Sequence, residues 1–358
     1  MQSKIDLDNK RIYSFDIMRI VSICAVILLH ISADYVKSEP NSSYGFIISN
    51  FLNSLSRFAV PIFFMISGAL MLNENKKTDG KKIFRSTLSL FTLLIFWSVF
   101  YAVSYHLIKP LVFHENISIS SFVNALLNGH YHMWYLFVLI GLYLITPLLR
   151  LFIKRENLPL ITFYLILSIV LCFGASFINE FFNIFGLQKN ILLDYISNYR
   201  IDGIYEYLVY YVLGWYILNV DVKFKHRICV YIFGIVGFIS TFVCSQVFFD
   251  ASYSENNYFY SNNSLNVFMY SVAIFMFLHW NLKKKGFVSN KFILTLSSLV
   301  FGVYIVHPIF LFVLKMVVAI IDYSFIKILI VFLCAVPLSF FFVYIASKIP
   351  FIKKLIRG

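Results

Sequence analysis

The sequence predicts an all-α, multi-pass membrane protein, and three observations carry that reading. The chain is 60% hydrophobic with only 13% charged residues. Its mean hydropathy is +0.80, whereas soluble domains carry about 25% charged residues. The apolar residues gather into ten runs long enough to cross about 30 Å of hydrocarbon, near 15–34, 46–72, 84–106, 133–153, 159–179, 203–220, 227–249, 264–281, 292–316 and 326–348. The basic residues then alternate with those runs.

With the N-terminus in the cytoplasm, the inner segments hold Lys4, Lys10 and Arg11; Lys76, Lys77, Lys81, Lys82 and Arg85; Arg150, Lys154 and Arg155; Lys223, Lys225 and Arg227; Lys283, Lys284, Lys285 and Lys291; and Lys348, Lys353, Lys354 and Arg357. The outer segments keep little more than Lys37, Lys109, Lys189 and Arg200. This bias predicts both termini inside. It also accounts for the net charge of +13 without a nucleic-acid partner. One membrane domain is expected over 1–358, with a short cytoplasmic lead at 1–14 and a basic cytoplasmic tail at 349–358. The first run follows a charged lead and contains Asp16 and Arg19, so it reads as a retained span and not a cleaved signal. Five cysteines lie in apolar segments without CxxC spacing and read as small core residues, with neither disulfides nor a metal site indicated.

The first span reads RIYSFDIMRIVSICAVILLHISADY. Ionisable groups in lipid are kept mainly where they line a site. Eleven residues separate Arg19 from His30, about three helical turns, which stacks both on one face roughly 16 Å apart. Asp16, three residues before Arg19, is placed to pair with it. Asp34, four residues after His30, reads either as a partner for the imidazole or as an outer interface residue. The second span places Arg57 inside the membrane, and Pro61, four residues on, should open the helix by freeing a carbonyl. Ser67 and Gly68 allow close approach of a neighbouring helix. The fourth span opens with HYHMWYLFVLIGLYLITPLLR, putting His132 at the outer rim. The ninth contains FGVYIVHPIF, where His307 and Pro308 deep in a span suggest a broken helix lining a cavity. Aromatic residues, at 19%, fit interfacial belts and also sugar-stacking surfaces.

DIMR with a histidine eleven residues after its arginine, RFAVPIFFMISGALML, HMWYLFVLIGLYLITPLL, YLVYYVLGWYI and FGVYIVHPIF, in this order, resemble the integral membrane acyltransferase family 3. Arg19 and His30 match that family's arginine, ten residues, histidine motif, and Arg57 matches the arginine before its VPxFF stretch. The resemblance implies a bacterial cytoplasmic (inner) membrane O-acetyltransferase taking acetyl-CoA as acyl donor. Its acceptor would be a hydroxyl of an envelope carbohydrate or glycolipid: O-antigen, capsule or exopolysaccharide. His30 and Arg19 become the expected catalytic pair. Arg57, His132, His307 and Asp16 become substrate-binding or oxyanion-stabilising candidates, with no metal required. A transporter or flippase for a lipid-linked sugar would also keep charges inside spans and is the alternative. The oligomeric state is open.

Overall fold

The computed structural model describes residues 12–74, 80–113, 118–187, 204–248, 257–284 and 290–356. Among these, nine helices are long and apolar enough to cross a membrane, and no strand occurs. The first expected span is α1 (Tyr13–Ser38), and the second is divided into α2 (Tyr44–Ser56) and α3 (Ala59–Met71). The third is α4 (Gly80–Phe113). An unexpected short helix, α5 (Ile119–Asn128), precedes the fourth span, α6 (Trp134–Phe152). The fifth is α7 (Leu158–Ser168) and α8 (Ala175–Ile184), joined by a π-helical stretch, Ile169–Gly174, that turns Cys172 and Phe173 into the core. Then come α9 (Ile204–Asn219), α10 (Phe224–Val247), α11 (Leu265–Lys284), α12 (Lys291–Val317) and α13 (Ser324–Ala346). Of the expected basic tail, Pro350–Ile356 forms a final helix, α14, whose Ile356 is buried. Most of the expected lead, 1–11, and Lys76 and Lys77 lie outside the described residues.

Among the described residues α9 shows 16 in helix, starting at the first residue described after 187. It rises about 24 Å at 1.5 Å per residue. Protein surrounds it: Tyr210, Tyr211 and Trp215 are fully buried. Its principal neighbour is α3. The two backbones meet at glycines, as Gly68 led one to expect. A Cβ on Gly68 would fall 1.8 Å from the Tyr211 carbonyl oxygen, and one on Gly214 would fall 1.9 Å from that of Met65.

Two prolines act in opposite ways. Pro61 cannot bond back to Arg57, and the helix breaks at Arg57 and Phe58 as expected. There the Tyr270 hydroxyl donates to the Ser54 carbonyl, 2.7 Å away. Pro308 does not break α12, contrary to the expectation for it. The carbonyl it frees is that of Tyr304, and the His307 side chain takes its place, with Nδ1 donating to that oxygen at 2.7 Å. The histidine repairs the ladder one residue before the proline that opened it.

The central element is α1, which packs against α2, α3, α11, α12 and α13. Buried on several sides, it can carry ionisable side chains that a lipid-facing helix could not. The cysteines vary more than expected. Cys172 is buried, Cys24, Cys244 and Cys334 are half-buried, and Cys229 is exposed on the apolar surface of α10.

The orientation expected from the basic segments is open to a direct test. Position 78, outside the described residues, lies in the expected inner connection between the second and third spans. Thr78→Cys, with the native cysteines replaced, should resist an impermeant thiol reagent in intact cells and react after permeabilisation. Labelling in intact cells would reverse the orientation.

Candidate active site

A cavity of about 690 Å³ lies against α1, α3, α4, α6 and α12. Helix direction orders its lining. The starts of α1, α4 and α12 bring Arg19, Lys82, Arg85, Ser86, Ser297 and Ser298 to one end. Later residues of α1, the α2–α3 break and the start of α6 bring His30, Arg57, His132 and Trp134 toward the other, with Asn262 from the segment before α11. The expectation from the eleven-residue spacing is met, because Arg19 and His30 face the same space.

At the basic end Asp16 is fully buried and takes a hydrogen bond from Ser297 Oγ at 2.6 Å. Its Oδ1 lies 3.7 Å from Arg19 Nη1. Asp16 does not line the cavity itself. It holds the stem of α1 against α12 and orients the Arg19 guanidinium, which does line it. Lys82 and Arg85 stand within the same volume, so three cations converge where no acidic side chain lines the wall among the described residues.

Toward the other end the imidazoles gather. The His30 and His307 rings stack with centroids 5.4 Å apart, and Tyr131 meets His30 edge-on at 5.0 Å. The His132 ring stands edge-on to His307, also at 5.4 Å. Its carbonyl accepts from the Tyr304 hydroxyl at 2.7 Å, tying the start of α6 to α12. His130 Nδ1 and His132 Nδ1 share one hydrogen bond of 2.9 Å, so one nitrogen holds the proton and the other accepts it. His130 also stacks on Tyr101 at 4.3 Å. Burial pushes its pKa down to about 4. Burial, with His307 and His130 close by, holds His132 well below the usual histidine range. Both shifts favour the neutral ring, the form that accepts protons.

His307 departs from expectation. It is fully buried behind His30 and is absent from the cavity wall. The physical reason is its bond to Tyr304, which fixes the Nδ1–H tautomer and holds the ring beside its own helix. Asp34 is not a partner for His30, because it pairs with Lys315 across α1 and α12.

Arg57 sits where Pro61 broke the helix. Its Nε and Nη2 donate to Asn53 Oδ1 at 2.8 and 2.5 Å, and Nη1 donates to the Tyr260 carbonyl at 2.9 Å. The Tyr260 ring lies 4.5 Å from the guanidinium carbon. Three of its five N–H groups are thus engaged, and the side chain still lines the cavity. A planar donor fork is fixed in orientation, with two N–H groups that have no partner among the described residues.

His130, Tyr131, Tyr304 and Asn262 were not singled out from the sequence. His130 and Tyr131 stand in HYH beside His132, a run of three ring side chains that was the available signal. Asn262 gave none, since one asparagine in an outer loop looks like any other.

Residues 12–348, nearly the whole chain, match the family described as acyltransferase domain, acyltransferase family 3. Comparison with curated proteins and with solved structures returns no match. An all-α multi-pass architecture, an arginine and a histidine of one helix facing one cavity, and a family match of this length agree with the motifs read from the chain. The protein belongs to acyltransferase family 3 and is a membrane acyltransferase.

Proposed function

We propose that the protein moves an acyl group, acetyl in the simplest case, from acetyl-CoA to a hydroxyl of an envelope carbohydrate or glycolipid in the bacterial inner membrane. The observation that supports this reading is the shared cavity, in which three cations at one end and the imidazoles of His30 and His132 toward the other face the same space. Arg19, Lys82 and Arg85 suit the phosphates of a coenzyme A donor. A guanidinium fork can grip two phosphate oxygens at once. Arg19 and His30 lie roughly 16 Å apart along α1, so an extended donor anchored at the basic end can present its thioester near His30.

The chemistry then follows. His30 takes the proton of the acceptor hydroxyl as its oxygen attacks the thioester carbonyl, forming a tetrahedral oxyanion. The two remaining N–H groups of Arg57 stabilise that charge. The carbon–sulfur bond breaks, the thiolate takes that proton from His30, and the products are an ester and free thiol. His307 backs the His30 ring and limits its orientations.

Mass spectrometry of surface glycans from cells with and without the protein tests the reading. Loss of one acetyl mass per modified unit, with the glycan otherwise intact, is the expected result. Loss of the whole glycan would favour translocation of a lipid-linked sugar instead.

A further inference from the structure

The cavity carries a second kind of wall that the acyl-transfer chemistry does not use. Trp134 and Asn262 line it together at the end away from Lys82. Their placement is built from several directions. Asn262 Nδ2 donates to the Tyr207 hydroxyl at 3.3 Å, and the Tyr210 hydroxyl donates to the Asn262 carbonyl at 2.7 Å. The Trp134 ring lies 5.4 Å from the Tyr207 ring, which itself packs on Phe64 at 4.6 Å. Three helices, α3, α6 and α9, thus hold one indole and one amide at fixed positions. Among the described residues, nothing accepts the Trp134 indole N–H or donates to Asn262 Oδ1.

An indole N–H and an amide oxygen, both on residues lining a cavity inside a membrane protein, are costly unless a ligand or water pairs with them. A lipid chain would leave the polar pair unmatched. A peptide would need main-chain partners along its length, and the wall offers few. A pyranose matches, because it has one face of C–H groups for an aromatic ring and a rim of hydroxyls that both donate and accept. We infer that Trp134 and Asn262 form a pyranose platform, with the sugar ring stacked on the indole and one hydroxyl bonded to Asn262 Oδ1. This rests on the acyl-transfer reading for its purpose but not for its existence. Seated there, the acceptor shares the cavity with His30 and the free edge of Arg57.

Saturation-transfer NMR on the full-length protein in lipid nanodiscs tests it, with the methyl pyranosides of glucose, galactose, rhamnose and N-acetylglucosamine as probes. At least one probe should bind saturably, with saturation strongest at its ring C–H protons. Trp134→Ala should weaken binding about tenfold, the loss of roughly one stacking contact at ~1.4 kcal/mol. Trp134→Tyr, which keeps an aromatic face, should stay within about threefold of wild type. Asn262→Ala should weaken binding and flatten the preference among probes. Phe137→Ala, on the exposed side of α6, is the control for folding. Absence of saturable binding for every probe, or equal binding by Trp134→Ala and wild type, would overturn the platform. Binding that depends on Trp134 in a protein that transfers no acetyl group would leave the platform standing and sink the reaction.

Discussion

His30→Ala should lose about two to four orders of magnitude in acyl transfer per folded molecule, the usual cost of removing a proton acceptor from a reaction path. The structure sharpens that expectation. His30 stacks on His307 and meets Tyr131 edge-on, and these are ring contacts that alanine would forfeit at about 0.5–1.5 kcal/mol each. That is too little to unfold a membrane domain whose other contacts remain, so the variant should accumulate normally. A histidine present only for packing would behave in the opposite way, with less protein in the membrane and full turnover by each surviving molecule. Activity must therefore be normalised to folded protein, measured by size-exclusion in detergent, with Phe137→Ala as the lipid-facing comparison. Wild-type turnover per folded His30→Ala molecule would remove His30 from the chemistry.

The second large effect is on folding. Gly68→Ala puts a methyl carbon 1.8 Å from the Tyr211 carbonyl oxygen, and Gly214→Ala puts one 1.9 Å from that of Met65. The obstructing atoms are backbone in the interior of packed helices, so no side-chain rotation relieves the overlap. Overpacking a core commonly costs about 1–3 kcal/mol even where side chains can yield, against a total stability of about 5–15 kcal/mol. Each variant should accordingly leave little folded protein in the membrane. Gly80→Ala, where nothing lies within 4 Å, should match wild type. Normal accumulation of Gly68→Ala would mean that α3 and α9 are not in backbone contact at Gly68.

Helix positions were legible because lipid imposes one simple rule, a sustained apolar run, and α1, α4, α10, α12 and α13 follow it closely. The Pro61 break was legible because nothing replaces its missing donor within the helix. Pro308 looked the same in sequence, yet the preceding residue carries a side-chain N–H that reaches the freed carbonyl, and local spacing alone did not reveal the repair. In the site, Arg19 and His30 were legible because their relation lies within one helix. Lys315 as the partner of Asp34, the edge-on contact of Tyr131 with His30, and the placement of Trp134 and Asn262 against one tyrosine, Tyr207, join separate helices or loops, and such relations appear only once the chain is folded.

A cavity of about 690 Å³ has room for roughly twenty water molecules at ~30 Å³ each, so the low-dielectric barrier is thinner here than in the surrounding bilayer. Whatever voltage the membrane sustains is concentrated across what remains, at a cost of about 2.3 kcal/mol for each elementary charge moved through 100 mV. The proposed reaction avoids that cost. The proton leaves a hydroxyl, rests on His30 and ends on sulfur, while the acyl group travels as an uncharged fragment. A turnover that begins and ends without net charge displacement is neither driven nor braked by the membrane potential, and the same chemistry can run in an energised cell and in a depolarised one.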